Sequence, residues 1–237
     1  TGIGSVNCLI FGAEPSRTVV MAYDATVLAG TQGMRNHAKT DRLLGIALAQ
    51  KLPVVLFAEG GGGRPGDTDM PIVAGLHVGT FAAFARLSGQ VPVVGIAAGR
   101  CFAGNAALLG CSDVIIATRQ SNIGMGGPAM VEGGGLGVFR PEDIGPSDVQ
   151  HANGVIDLLV DDEAQAVAAA TSIVAGGLRP SSQLPVGTTL RCKVVVALLP
   201  EETLGLQENA QAHLDWLRIT LDELRNTPHK SIQTLNC

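Results

Sequence analysis

The chain has 237 residues and a formal net charge of −5; 46% of its residues are hydrophobic and only 16% are charged. This composition excludes a disordered chain, which would be rich in charge and poor in apolar residues. The length suffices for one large domain with a sizeable core. Lysine and arginine number 16 against 21 acidic residues, and they form no basic cluster of the kind that tracks phosphates. Nucleic acid is therefore not an expected partner.

Cysteine spacing indicates the redox compartment, and hydropathy indicates whether the chain spans a membrane. The five cysteines are odd in number, widely spaced and without a CxxC pair, which argues against a disulfide framework or a zinc site. A reducing, cytoplasmic compartment is the simpler expectation. The longest apolar tract, residues 87–112, is broken by Pro92, Arg100 and several glycines, so it predicts strand, turn and helix in a core rather than a membrane span.

Hydrophobic runs predict the elements in chain order. Strands are predicted at residues 6–11, 18–23, 54–58, 91–97, 114–118 and 155–160, and helices at residues 41–50, 72–88, 104–110 and 161–175. The strands are apolar on both faces and alternate with helices, a pattern typical of parallel strands joined by crossover helices. The expected fold class is therefore α/β with a parallel sheet.

The composition changes near residue 177. Residues 177–187 are rich in Gly, Pro and Ser and are expected to link a domain of residues 1–176 to a tail of residues 188–237. Apolar residues recur in the tail at alternating intervals of four and three: Ala210, Leu214, Leu217, Leu221 and Leu224. This spacing predicts an amphipathic helix that covers core or partner surface.

Two segments could carry chemistry. Residues 59–67, the glycine loop, follow a predicted strand with the sequence EGGGGRPGD. Consecutive glycines leave backbone N–H groups uncovered, so that an oxygen bearing negative charge can approach them. A phosphate cradle is disfavoured because the GxxxxGK[ST] pattern is absent. A flexible surface turn is the alternative, with about equal weight.

The second segment, residues 99–107, leads from a strand into a helix whose first turn is made of small residues. A helix start exposes unpaired N–H groups and a positive dipole end, although close helix–sheet packing also requires small residues. Both segments follow the carboxyl ends of successive strands, where α/β sheets place ligands. Two neighbouring clusters of backbone amides are therefore predicted.

Residues that could move protons or attack a substrate are scarce. There is no GxSxG or HExxH motif, and the five histidines form no ligand pair, so no metal site is expected. Cys101 could be a nucleophile with a lowered pKa at the helix start, but a small buried residue is the better interpretation. Asp67 and Asp69 could be catalytic, although loop solvation explains them more simply. Oxyanion stabilisation of a thioester enolate fits this inventory.

Several separate motifs within residues 5–175 share one family resemblance. They are residues 23–31 (YDATVLAGT), 53–64 (PVVLFAEGGGGR), 85–89 (ARLSG), 92–96 (PVVGI), 99–106 (GRCFAGNA), 112–117 (SDVIIA) and 123–128 (IGMGGP), together with Lys39. These motifs resemble the N-terminal half of the carboxyltransferase domain of biotin-dependent acyl-CoA carboxylases, and most closely that of bacterial multi-domain long-chain acyl-CoA carboxylases. The resemblance implies a crotonase-like superhelix of ββα units, followed by a C-terminal helical tail.

The resemblance also implies a set of site residues. The oxyanion-stabilising, catalytic role falls on Gly61, Gly62, Ala103 and Gly104. Substrate binding falls on Lys39, Arg64, Gly126 and Gly127. The related hydratases carry a catalytic Glu shortly after the helix-start glycines, where this chain has Ala107. That departure agrees with carboxyl transfer or decarboxylation and disfavours hydration.

The resemblance further implies the partners. Carboxyltransferases of this family have two crotonase-type halves, and this chain has one, so a second half or a homo-oligomer is expected. No biotinylation motif is present, so biotin is expected on a carrier domain of a partner, and acyl-CoA is the expected substrate. The alternatives are an acyl-CoA decarboxylase that uses the same oxyanion site and a catalytically silent scaffold subunit.

Overall fold

A computed structural model describes residues 1–64 and 79–177 of the chain. The strands are β1 (Gly2–Ser5), β2 (Arg17–Ala22), β3 (Val54–Phe57), β4 (Val93–Ala97), β5 (Arg100–Phe102), β6 (Val114–Thr118), β7 (Asn122–Gly124) and β8 (Leu158–Val160). Six of them form one sheet in the order β1-β2-β3-β4-β6-β8, and β5 pairs with β7 in a second sheet. Within this part of the chain only the β1–β2 pair is antiparallel.

The helices are α1 (Cys8–Phe11), α2 (Met34–Gln50), α3 (Thr80–Ala85), α4 (Gly104–Leu109), α5 (Pro128–Gly133), α6 (Ser147–Ala152) and α7 (Glu163–Gly177). Two short 3-10 turns, Leu28–Gly30 and Pro141–Asp143, complete the list for the described residues. A strand of the large sheet is followed by a strand of the small sheet and then by a helix, first as β4-β5-α4 and again from β6 through β7 to α5 and α6. This ββα repeat confirms the expected crotonase-like α/β fold.

The central strands of the large sheet, β3, β4 and β6, are buried on both faces, as their apolar sequences predict. Along β3, Val54 and Leu56 point into a core shared with α2, α3 and α4, whereas Val55 points into a second core shared with α7. The alternation follows from the two-residue period of a strand. The first core includes the fully buried Phe84 and Leu108. The sheet is thereby held rigidly between helical layers, with its strand ends free to carry loops.

The predicted strand at residues 6–11 is wrong. The edge strand is β1, and the 6–11 region contains the helical turn α1, in which Leu9 and Ile10 are exposed. Asn7 is the reason, because its left-handed conformation, φ 62° and ψ 32°, ends the extended chain and begins the turn. Asn adopts this conformation more readily than most residues, and apolar content alone does not reveal it.

Helix boundaries differ from the predictions at several points. The helix predicted at residues 41–50 is the second half of α2, which begins at Met34, and the glycine-rich stretch 124–137 contains the unpredicted α5. Of the helix predicted at residues 72–88, α3 is confirmed, while residues 72–78 lie outside the described residues. The predicted linker from residue 178 onward and the predicted tail helix also lie outside them. Within the described part of the chain, no helix is both long and apolar enough to cross a membrane.

Candidate functional site

Residues 59–64, the described part of the glycine loop, are held by backbone hydrogen bonds on both sides. On one side, the Gly60 N–H donates to the Arg100 carbonyl oxygen at 2.8 Å, and the Gly60 carbonyl oxygen accepts from the Phe102 N–H at 2.8 Å. On the other side, the Gly62 carbonyl oxygen accepts from the Gln32 N–H at 2.7 Å. The loop therefore lies between the segment that precedes α2 and the turn that enters α4.

The turn into α4 contains a strained residue. Ala103 has φ 50° and ψ −120°, a conformation that residues with a Cβ atom rarely adopt. Its N–H donates to the Gly124 carbonyl oxygen at 2.9 Å, and its own carbonyl oxygen accepts from the Ala107 N–H at 2.9 Å. The next amide, that of Gly104, finds no hydrogen-bond acceptor within residues 1–64 and 79–177. Such strain costs about 1–3 kcal/mol and clusters at functional sites.

The two predicted amide clusters meet, as the sequence analysis expected. A Cβ atom added at Gly62 would lie 2.5 Å from the Ala103 Cβ and 3.1 Å from the Gly104 nitrogen, so only a glycine fits against this turn. The amides of the glycine loop, however, bind within the chain. The Gly61 N–H donates to the Ala29 carbonyl oxygen at 2.9 Å, and the Gly62 N–H donates to Asn105 Oδ1 at 2.9 Å. Only Gly104, among these predicted donors, presents an amide with no acceptor in the described residues.

A buried glutamine, Gln32, lies against Gly104 at the start of α4. Gln32 is 3% exposed, and its Oε1 would lie 2.5 Å from a Cβ atom added at Gly104. Gln32 Nε2 and the nearby Tyr23 hydroxyl lack a well-formed hydrogen bond to any described residue. Burial raises the pKa of Tyr23, and the neighbouring Thr40 and Gln32 partly oppose this rise. Sequence analysis missed Gln32, because one glutamine outside a motif carries no signal.

Glu59 is the carboxylate of the glycine loop that the structure describes. Its Oε1 accepts the Ala98 N–H at 2.5 Å, and the side chain is half-buried. Burial raises the pKa of Glu59, although this hydrogen bond partly opposes the effect. The carboxylate is thus anchored to the end of β4. Asp67 and Asp69, the other acids considered for this loop, lie outside the described residues.

Cys101 is not an activated nucleophile. Its side chain is fully buried, and Sγ lies 3.2 Å from the Ala58 carbonyl oxygen. Burial, and to a smaller extent the charge of Glu59, raises the pKa of the Cys101 thiol, so that the thiolate is disfavoured. The interpretation as a small buried residue is therefore confirmed.

The predicted substrate-binding residues fall in three places. Arg64 stays with the glycine loop, where Nε donates to Thr31 Oγ1 at 3.2 Å and Nη2 donates to the Thr31 carbonyl oxygen at 3.1 Å. Gly127 lies beside the residue before the strained turn, since an added Cβ atom would be 3.6 Å from the Phe102 ring. Gly126 precedes it in the same loop. Lys39 is exposed on α2, and its side chain makes no hydrogen bond or ion pair with a described residue.

The position that holds an acid in related hydratases is occupied by Ala107, which lies in the first turn of α4 and is half-buried. No group of three or more His, Cys, Asp or Glu side chains in the described ranges could hold a metal ion. What these ranges present is a backbone amide beside a strained turn and a glycine loop. This arrangement can stabilise negative charge on an oxygen.

Comparison with known proteins agrees with this geometry. The mostly parallel sheet, its ββα repeat and the backbone amide at a strained helix start are those expected of a crotonase-type fold. The model of the carboxyl transferase domain family matches residues 9–191. The match covers most of the chain, which therefore belongs to the carboxyl transferase domain family.

Solved structures and curated relatives point the same way. The chain is similar to a single-chain, multi-domain long-chain acyl-CoA carboxylase, with 60% identity and a TM-score of 0.70 over 73% of this chain and 17% of that one. It resembles the Pseudomonas aeruginosa geranyl-CoA carboxylase beta subunit, with 28% identity and a TM-score of 0.62 over 78% of this chain and 33% of the other.

A Mycobacterium tuberculosis biotin-dependent 3-methylcrotonyl-CoA carboxylase beta1 subunit is 31% identical over 171 residues, which is 70% of this chain and 31% of that subunit. The chain thus spans about a third of the length of the curated relatives it matches.

Proposed function

We propose that this chain is the acyl-CoA-binding half of a carboxyltransferase in a biotin-dependent acyl-CoA carboxylase. One observation carries the proposal: the Gly104 N–H has no acceptor in the described residues and lies against the glycine loop. The similarity to several carboxylase subunits supports the same assignment.

The chemistry follows from that amide. Removing the α-proton of an acyl thioester leaves an enolate whose negative charge lies largely on the thioester oxygen. A backbone N–H fixed beside that oxygen stabilises the charge, and removing one such donor typically costs an enzyme about 2.7–4 kcal/mol. In this proposal Gly104 donates that hydrogen bond, while Gly61, Gly62 and Ala103 form the walls of the site. The Gly61 and Gly62 N–H groups could also donate to the thioester oxygen only if they broke their hydrogen bonds to the Ala29 carbonyl oxygen and to Asn105 Oδ1.

Arg64, Lys39, Gly126 and Gly127 are proposed to contact the rest of the substrate. Gly126 and Gly127 would border the acyl portion, because their loop adjoins Phe102. Lys39, exposed on α2, would meet the charged portion of coenzyme A.

The carboxyl group is proposed to arrive on biotin, which is attached to a carrier domain of a partner. When bound, biotin would supply an activated carboxyl group, and the biotin nitrogen that loses this group would take up the α-proton of the acyl thioester. Among the described residues we recognise one amide site, whereas transfer between two ligands needs two opposed sites with reacting atoms about 3–3.5 Å apart. The chain is therefore proposed to work with a second crotonase-type half or with another copy of itself, in the cytoplasm.

Calorimetric titration of the purified chain with acyl-CoA and malonyl-CoA tests the proposal, with CO₂ release and crotonyl-CoA hydration measured in parallel. We expect binding of acyl-CoA, no CO₂ release from malonyl-CoA, and hydration below about 1 per second, the lower end of ordinary enzyme turnover. CO₂ release at enzyme-like rates would favour a decarboxylase. The absence of any thioester binding would favour a scaffold, and hydratase turnover would overturn carboxyl chemistry.

A further inference from the structure

Asn105 joins three segments of the chain through one buried carboxamide. The residue is fully buried in α4. Its Oδ1 accepts the Gly62 N–H at 2.9 Å, and its Nδ2 lies 3.3 Å from the Glu59 carbonyl oxygen and 3.5 Å from that of Gly30. The Asn105 oxygen faces an N–H donor, and its nitrogen faces two carbonyl acceptors. Only this orientation of the carboxamide therefore matches its neighbours.

The neighbouring glycines are shaped around this side chain. A Cβ atom added at Gly60 would lie 2.8 Å from Asn105 Cγ, and one added at Gly30 would lie 2.8 Å from the Glu59 carbonyl oxygen. The carboxamide therefore occupies space that a side chain at position 60 would need. Among the described residues, Asn105 is the side chain that accepts a hydrogen bond from the Gly62 N–H.

Asn105 directly follows the residue whose amide has no acceptor. Gly62 packs against that amide, because a Cβ atom added at Gly62 would lie only 3.1 Å from the Gly104 nitrogen. Because Asn105 bonds back to Gly62, it fixes the glycine loop against the turn on which Gly104 sits. Its loss would leave the buried Gly62 N–H unpaired, which would weaken the attachment of the glycine loop to α4.

We propose that Asn105 is a positioning residue for the thioester site, and that its carboxamide, rather than the substrate, holds the Gly62 N–H. This inference rests on the proposed function. It predicts that the site has a preformed wall whose distance from the Gly104 amide is set by Asn105, so that a thioester oxygen enters a fixed niche without rearranging the loop.

The substitution Asn105→Asp tests this proposal through pH. A protonated carboxyl keeps an acceptor for Gly62 and one donor for the carbonyls, whereas the carboxylate places a negative charge against two carbonyl oxygens. Burial raises the pKa of such a group, so the variant and the wild type are compared from about pH 5.5 to pH 8.5. We expect acyl-CoA affinity near that of the wild type at the acid end and at least about tenfold weaker at the alkaline end.

Asn122→Asp is the matched control. Asn122 is also buried, and its Nδ2 donates to two carbonyl oxygens, those of Glu142 at 3.0 Å and Ile144 at 3.2 Å, away from the glycine loop. The same chemical change there should lower the melting temperature but leave the pH dependence of acyl-CoA affinity as in the wild type.

Asn105→Ala and amide hydrogen exchange of Gly62 separate the possible failures. We expect slow exchange at Gly62 in the wild type and faster exchange in Asn105→Ala, even if Asn105→Asp does not fold at alkaline pH. Slow Gly62 exchange in the alanine variant, or wild-type affinity in both Asn105 variants at both pH values, would overturn the positioning role. If the wild-type chain binds no acyl-CoA, the proposed function fails, while Gly62 exchange still decides whether Asn105 holds the loop.

Discussion

Two turns of the molecule occupy equivalent places and differ in conformation. The paired strands β5 and β7 each lead into a six-residue helix, β5 through Ala103 into α4 and β7 through Gly127 into α5. Ala103, which carries a Cβ atom, has φ 50°, whereas Gly127, which could adopt any conformation, has an ordinary φ of −80° and ψ of 175°. The strained conformation thus occurs where the residue type favours it least.

Packing explains which turn can hold strain. Four residues of α4 are buried, including Leu108 and Leu109, whereas α5 has no buried residue and starts with Pro128 at its first position. A conformation that costs about 1–3 kcal/mol persists only where the surrounding structure enforces it. The candidate site therefore lies at the turn through Ala103 into α4, and the turn through Gly127 into α5 borders it.

The substitution with the largest expected effect disrupts the turn that enters α4. Gly104→Val places a branched side chain where a single Cβ atom would already lie 2.5 Å from Gln32 Oε1, beside the amide with no acceptor. Acyl-CoA affinity should fall at least about tenfold, as measured by calorimetry.

Gly45→Val is the matched control, because Gly45 is exposed on α2 with nothing within 4 Å of an added Cβ atom. Its affinity should equal that of the wild type. Full affinity in a folded Gly104→Val variant would remove Gly104 from the site.

An intermediate effect concerns strain. Ala103→Gly should leave the free energy of unfolding unchanged or raise it by about 1 kcal/mol, because glycine adopts positive φ without penalty. The same change at Ala168, exposed in the interior of α7, should lower stability by about 0.5–1 kcal/mol. Denaturant unfolding measures both. Equal losses in the two variants would show that Ala103 is not strained.

At the turn that enters α5, the reverse change, which adds a Cβ atom, should stabilise the fold. Gly127→Ala meets no backbone strain, and its Cβ atom would make an ordinary contact 3.6 Å from Phe102. We expect a gain of about 0.4–1 kcal/mol in the free energy of unfolding from the reduced freedom of the unfolded chain. A loss of stability would mean that the two turns are not distinguished by conformation.

The smallest effect is the pH dependence of stability at two glutamates, Glu59 of the glycine loop and Glu142 of the 3-10 turn Pro141–Asp143. Burial raises the pKa of Glu59, so the folded chain holds this proton more tightly than the unfolded chain, and stability falls as pH rises through the folded pKa. Glu59→Gln keeps an acceptor for Ala98 and does not titrate. Its stability relative to the wild type should therefore increase as pH rises above about 4.5.

Glu142 should show the reverse sign. Its own backbone N–H, and then Arg100, lower the pKa of Glu142, so its contribution is present at neutral pH and is lost as pH falls through the folded pKa. Glu142→Gln should be less stable than the wild type at neutral pH and equal to it in acid. Denaturant titrations across pH measure both variants, and pH-independent differences would refute both assignments.

Some features of the site were readable from the sequence because they depend on local residue types. Runs of apolar residues predicted β3, β4 and β6, whereas the short strand β5 was predicted as part of a turn. Glycine content predicted that the glycine loop and the start of α4 lie together, but not that the Gly61 and Gly62 amides bind within the chain. The sequence did not predict that Asn105 contacts Gly62 or that Gln32 contacts Gly104. Asn105 lies 43 residues from Gly62, and the two residues meet only when the chain has folded β3 and α4 together. The α1 turn was missed because Asn7 decides it through its backbone conformation.

The central claim is that this chain binds the acyl thioester in one half of a two-part carboxyltransferase. Transfer of the carboxyl group from carboxybiotin to acyl-CoA, measured with the chain alone and together with a complementary crotonase-type half, tests it most directly, with light scattering reporting the assembly. The account predicts acyl-CoA binding but no transfer by a monomeric chain, and transfer only in an assembly that completes the second site. A strict monomer that transfers the carboxyl group at enzyme-like rates would contradict it.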